Sequence, residues 1–244
     1  MIHISLPAEV VFHFFSLPIT NSILVTWLLM ISLGIFTILA TRNLKSVPQG
    51  LQNFTEIVLE GLLNFFEGMV GKRARMFFPL TVTFFIFIIL GNWSGLIPGF
   101  GTIGLWKIED GRQVLLPFLR RTTADLNTTL ALALFSVGAI QYFGLREVKV
   151  AYLKRFFNFR GPVVFFVGIL EVISELAKVV SFSFRLFGNM FAGEVLIVVI
   201  SFLIPLVVPI PFLFLELFIG FVQAFIFATL TLVFLNTAVG FHEH

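Results

Sequence analysis

Runs of apolar residues, broken by short clusters of charge and proline, divide the chain of 244 residues. A helix needs about 20 apolar residues to cross the hydrocarbon core of a bilayer. Three runs approach that length singly. Residues 23–41 end beside Arg42 and Lys45, residues 76–97 follow GKRAR (71–75) and stop at Pro98-Gly99, and residues 123–143 precede the basic segment 144–160. From Gly161 to Phe241 the apolar pattern is almost continuous, and the cluster Pro205, Pro209, Pro211 divides it. Proline removes a helix donor and clashes with the preceding turn, so this cluster predicts the turn of a helical hairpin with arms 161–204 and 211–241. As one straight helix the first arm would exceed about 60 Å, roughly twice the hydrocarbon thickness. Steep tilt of both arms is the expectation.

The segment 47–71 follows a different pattern. Phe54, Ile57, Val58, Leu62, Phe65, Phe66 and Met69 recur at helical spacing, while Glu56, Glu60 and Glu67 lie largely on the other face. It is too polar to span easily and reads as an amphipathic helix lying in the interface. Residues 1–22 and 99–122 are the connecting segments on one side. Together these patterns predict an all-α polytopic membrane protein, a single membrane domain over 1–244 with about five crossing helices and one interfacial helix.

Composition strengthens this reading. Only 12% of residues are charged and 58% are hydrophobic, with 34 phenylalanines. A soluble domain carries roughly a quarter charged residues and could not hide so much apolar surface. The absence of cysteine excludes disulfides and thiolate metal sites. Residues 1–22 lack a basic n-region and an A-x-A-like site, so the first span is expected to serve as an uncleaved insertion signal.

Orientation follows from the positive-inside rule. Arg42, Lys45, Lys72, Arg73 and Arg75 flank the interfacial helix, and Arg146, Lys149, Lys154, Arg155 and Arg160 lie between the third span and the hairpin. Both groups are expected on the cytoplasmic side, or the matrix side in an organelle. Five crossings then put the N-terminus outside and the terminal FHEH inside. The loop 99–122 runs against the rule, because Lys107, Arg112, Arg120 and Arg121 are only partly offset by Glu109 and Asp110.

Charges inside the membrane carry the functional signal. They concentrate in the hairpin: Glu171, Glu175, Lys178, Arg185, Glu194 and Glu216. A central Arg costs about 2.5–3.5 kcal/mol on insertion scales, so such residues face protein or water and usually mark an ion pathway. Glu171, Glu175, Lys178, Arg185 and Asn189 are separated by 4, 3, 7 and 4 residues, which puts them in one stripe on one helix face. Glu194 breaks the stripe. It lies nine residues beyond Arg185, about half a turn away in azimuth and about 13 Å further outward. On the second arm Glu216 and Gln223 are seven apart and share a face. If Gln223 sits level with Arg185, Glu216 lies about 10 Å outward of it, near the depth of Glu194. The pattern is two polar half-paths that stop at opposite sides of one arginine. Arg suits that place, because its pKa above 12 keeps it from passing protons on, while it favours the charged form of a carboxyl group brought beside it. Gly220, Ala224 and Ala228 recur every fourth residue and would let another helix approach closely.

SFRLFGNMFAGE (183–194), followed by VQAFIFATLTLVFL (222–235), closely resembles subunit a of the F-type ATP synthases. ADLNTTLALAL (124–134) and PQGLQNFTEIVLE (48–60) are similar to that family's third spanning helix and early amphipathic region. The resemblance implies a non-catalytic, ion-translocating stator subunit beside a rotating ring. In it Arg185 would face the carboxylate of the ring, Gln223 would lie opposite Arg185, and Asn189, Glu194 and Glu216 would line the outer half-channel. Glu171, Glu175 and Lys178 would line the inner one. Many members have His at the position of Glu216; here both outer sites are Glu, so the relay would load at a different pH. The implied partners are a ring of small hairpin c subunits, the peripheral-stalk subunit b, the other synthase subunits and lipid. No cofactor, metal, nucleotide or nucleic acid is implied. The implied location is a bacterial plasma membrane, with the mitochondrial inner membrane as the alternative.

Plainer readings stand beside these. Arg185 would serve as a structural ion pair if a neighbouring helix supplied a Glu. Glu194 and Glu216 would cap or sit at the interface near the proline turn, and Glu171 and Glu175 would face the inner headgroups. Lys178 pairing with Glu175 is favoured over direct transport. Asn92 and Asn127 suit hydrogen bonds between helices, and Asp125 suits a helix N-terminus. His242 and His244 read as a solvated tail, and GMVGKRAR lacks P-loop spacing. A secondary transporter would show repeated halves with broken helices, and a voltage sensor would carry several Arg at every third position. Neither pattern is present in the sequence.

Overall fold

The chain crosses its own length repeatedly as long helices whose apolar residues are shared between a narrow core and a wide outer surface. The structure is a computed structural model and describes residues 8–14, 17–97, 100, 103–109, 112–149, 152–153, 156, 161–204 and 207–240. The helices are α1 (Asn21–Thr41), α2 (Leu51–Val70), α3 (Ala74–Ser94), α4 (Leu126–Val148), α5 (Pro162–Leu203) and α6 (Pro209–Val239). Pro205, the basic residues Lys154, Arg155 and Arg160, and residues 241–244 lie outside the described residues.

Local chemistry explains most boundaries. The Thr20 side chain accepts from the Ile23 amide at the start of α1, and the Asp125 side chain accepts from the Asn127 amide at the start of α4. These contacts satisfy amide donors that the first turn leaves open. Pro209 and Pro211 fall in the first turn of α6, where a missing N–H costs nothing. α2 stops at Gly71, whose φ of 70° is costly for residues with a Cβ, and a single 3-10 turn, Gly71–Arg73, leads into α3. Four segments among the described residues are long and apolar enough to cross a membrane: Asn21–Thr41, Leu51–Ser94, Leu126–Val148 and Pro209–Val239. α5 adds 42 residues, about 63 Å at helical rise. The protein is an all-α, multi-pass membrane protein.

Two antiparallel hairpins decorate one end of the bundle. β1 (Val10–Phe14) pairs with β2 (Leu17–Thr20), and β3 (Gly104–Glu109) pairs with β4 (Arg112–Pro117). Sequence periodicity did not single them out. Asp110 and Gly111, between β3 and β4 in the sequence, lie outside the described residues. This end is called the hairpin end below, and the end carrying Lys72, Arg73 and Arg146 the basic end.

α6 is the centre of the packing. It runs antiparallel to α3, with which it shares its most extensive contact, and also meets α2, α4 and α5. Gly220, Ala224 and Ala228 are buried. A Cβ on Gly220 would sit 3.1 Å from the Asn92 Cβ, so the small residue sets the α3–α6 approach. The core is rich in phenylalanine: Phe84 and Phe182 both meet the Phe227 ring, at centroid distances of 5.3 and 5.1 Å. Hydroxyl pairs tie the helices further, Thr129 to Ser183 at 3.2 Å and Ser136 to Thr231 at 2.8 Å. α2 buries Phe66 and exposes Phe54, Ile57, Phe65 and Met69.

Candidate ion-translocation site

Three polar clusters lie along the α5–α6 pair. The middle one is built from Arg185. Its Nη2 donates to Ser181 Oγ at 3.0 Å, one turn earlier on α5. Asn189 Nδ2 donates to the Arg185 carbonyl at 2.9 Å, one turn later. Arg185 and Asn189 are both exposed. Arg185 and Gln223 line one small cavity of about 10 Å³ together with Phe182, Leu186, Ile226 and Phe227. That is close to the space of a single water. Among the described residues no carboxylate pairs with Arg185.

The hairpin-end cluster is largely buried, with Glu194 its most exposed member. Glu216 is 4% exposed and forms an ion pair with Arg121, which is 5% exposed. Glu194 lies 3.9 Å from Arg120 Nε, and its side chain keeps 32% of its exposure. The helices make room for these groups with glycines. The Glu216 carboxylate sits 2.8 Å from where a Cβ of Gly193 would be, so Glu216 reaches the level of Glu194 on the neighbouring helix. The Arg121 side chain occupies the space that any side chain on Gly95 would need. Burial lowers the Arg121 pKa to about 10, with the charge of Glu194 opposing that shift, so Arg121 stays a cation at neutral pH. Glu194 Oε2 and Glu216 Oε2 are buried with no hydrogen-bond partner among the described residues. Nearby, Asn92 joins α3 to α6 by donating to the Gly220 carbonyl at 2.7 Å while accepting from Thr123 Oγ1 at 2.6 Å. Ser22 Oγ donates to Asp125 Oδ2 at 2.6 Å, which ties α1 to the start of α4.

The third cluster lies toward the basic end. Glu175 is buried, accepts from Lys178 Nζ at 2.7 Å and from Gln141 Nε2 on α4 at 2.9 Å. Tyr152 completes the chain by donating to Gln141 Oε1 at 2.9 Å. Lys178 also stands 4.6 Å above the Phe234 ring. Glu171 is half-buried one turn earlier on α5.

The structure thus separates what the stripe on α5 suggested as one continuous face. α4 covers Glu175, α6 covers Lys178, and Arg185 with Asn189 is left on the exposed surface. Arg185 and Gln223 come together, as do Glu194 and Glu216. Glu175 and Lys178 stay a further seven to ten residues from Arg185, about 10–15 Å along the helix. Sequence reasoning missed Arg120 and Arg121 as site residues. Their excess positive charge, at odds with the expected orientation, was the available signal. Gln141 and Tyr152 were missed too; an isolated Gln inside an apolar run was the hint.

The ATP synthase A chain family model matches residues 23–236. An ATP synthase subunit a of Moorella thermoacetica is 36% identical over 241 residues, which cover 98% of this chain and 98% of that protein. Those of Geobacter sp. and Gloeobacter violaceus are 34% and 35% identical over 227 and 224 residues, covering 92% and 91% of this chain and 89% and 85% of theirs. With the match running through all three polar clusters and nearly the whole length, the chain belongs to the ATP synthase A chain family.

Proposed function

We propose that this chain is the proton-translocating stator subunit of a membrane-bound ATP synthase, working beside a ring of small hairpin subunits that each carry one buried carboxylate. The observation that carries the reading is Arg185: an always-charged group on an exposed apolar helix face that, among the described residues, meets the Ser181 hydroxyl and no carboxylate. In lipid that position is costly, so its carboxylate partner comes from another chain. Gln223 and Asn189 sit where they would orient that encounter.

A proton reaches the ring from the hairpin end past Glu194 and Glu216 and neutralises a ring carboxylate, which then turns into lipid. After nearly a full rotation the carboxylate meets the path near Glu175 and Glu171, releases its proton and pairs with Arg185. Arg185 holds the two paths apart because it cannot relay a proton. Lys178, held by Glu175, shapes the release path without carrying the ion. Each charge moved across 100 mV supplies about 2.3 kcal/mol, so several are needed for one ATP. The chain itself makes no covalent chemistry; ATP forms elsewhere in the complex. The peripheral-stalk subunit b would hold it against the torque. A bacterial plasma membrane, with the N-terminus outside and the C-terminus inside, is the matching location.

Arg185→Ala in the reconstituted complex tests this. Loss of ATP-driven proton pumping and of ATP synthesis is expected; retained coupling at the normal rate overturns the reading.

A further inference from the structure

The hairpin-end cluster holds four charges that sum to zero: Arg120, Arg121, Glu194 and Glu216. A path that has only to attract cations would leave its carboxylates bare. Here one oxygen of Glu216 is taken by a buried guanidinium, and Arg120 stands near one oxygen of Glu194. Each carboxylate keeps its second oxygen, buried and without a hydrogen-bond partner among the described residues. Gly95 and Gly193 give up their side-chain space to this arrangement, so it is built into the packing.

From this geometry we infer that Arg121, supported by Arg120, is a specificity-determining residue that admits protons at the hairpin end and excludes alkali cations; the inference rests on the translocation reading above. The chemistry of the two ions differs in what each demands. A proton needs a single oxygen, to which it bonds covalently. An alkali cation, like other hard cations, needs several oxygens converging on one point. Oxygens already turned toward guanidinium groups cannot converge on a metal ion, and the ion would meet two fixed positive charges at close range. Of the other carboxylates at this end, Asp125 accepts from Ser22 and from the Asn127 amide, and Glu9, whose Oε2 is also buried, sits beside the start of α1.

The test uses the intact synthase complex in liposomes, with ATP-driven proton uptake followed in sodium chloride and in choline chloride at equal ionic strength. The wild type is expected to pump equally in both salts. Arg121→Gln frees the Glu216 oxygen that the guanidinium holds, and its pumping is expected to fall several-fold in sodium chloride relative to choline chloride. Arg121→Lys restores the cation and is expected to pump equally in both. An assembled Arg121→Gln complex indifferent to sodium overturns the inference, as does sodium inhibition of the wild type or of Arg121→Lys. Sodium inhibition of the wild type or of Arg121→Lys overturns the inference even where Arg121→Gln fails to assemble. Failure of the translocation reading is read separately, from coupling in Arg185→Ala.

Discussion

Two arginines on this chain live in opposite circumstances. Arg121 is buried against a carboxylate of its own chain, while Arg185 is exposed on an apolar face with Ser181 as its hydrogen-bond partner. Each solves the problem of a charge in an apolar setting differently. Arg121 is neutralised internally, so it contributes to holding the hairpin end together. Among the described residues no carboxylate pairs with Arg185, so its charge is open to a group outside the chain. Under the proposed function, the difference separates a charge that shapes a path from a charge that acts on a partner.

The strongest way to break the comparison is to remove Arg185. Arg185→Ala is expected to abolish coupled pumping while leaving the melting temperature of the detergent-solubilised subunit unchanged. A large drop in melting temperature would mean that Arg185 serves the fold after all. Arg121→Ala should behave in the reverse manner. It strands the Glu216 charge in a buried site, which typically costs about 3–5 kcal/mol, and a denaturation midpoint within error of the wild type would dissolve the distinction. Gly193→Ala sharpens the same point more gently. Its Cβ would press on the Glu216 carboxylate at 2.8 Å, and overpacking of this kind costs about 1–3 kcal/mol. Its pumping rate should fall with a changed pH profile, because the carboxylate moves while every charge is kept; a normal profile would show that the position of Glu216 is not critical. The smallest effect belongs to the uncharged core. Ser136→Ala removes a 2.8 Å contact to Thr231, and hydrogen bonds between membrane helices average about 0.6 kcal/mol. A loss comparable to that of Arg121→Ala would place the stability of the bundle in its hydroxyl pairs instead.

The two polar clusters flanking Arg185 differ in a related way. Glu175 near the basic end is met by a lysine from its own helix, at i+3, and by Gln141 from α4. Glu194 and Glu216 near the hairpin end are met by arginines from a loop. Helical spacing announces the first pairing in the sequence. Nothing local announces the second, because Arg121 and Glu216 are 95 positions apart.

What the sequence determined by itself is what repeats with short period or fails to. The long apolar runs, the amphipathic spacing of α2, the proline turn and the grouping of Arg185 with Asn189 all follow from 1.5 Å of rise and 100° of turn per residue. The depth match of Gln223 with Arg185, and of Glu216 with Glu194, follows from the same rule once the hairpin is assumed antiparallel. The tertiary structure decided which neighbour each polar group meets. It turned the loop arginines Arg120 and Arg121 inward onto the carboxylates, used Gly95 and Gly193 to make room for them, and divided the polar stripe of α5 into a covered part and an exposed part. Those outcomes depend on how α3, α4 and α6 pack around α5. Helical periodicity fixes the face a side chain occupies, and only packing between distant segments fixes what that face touches.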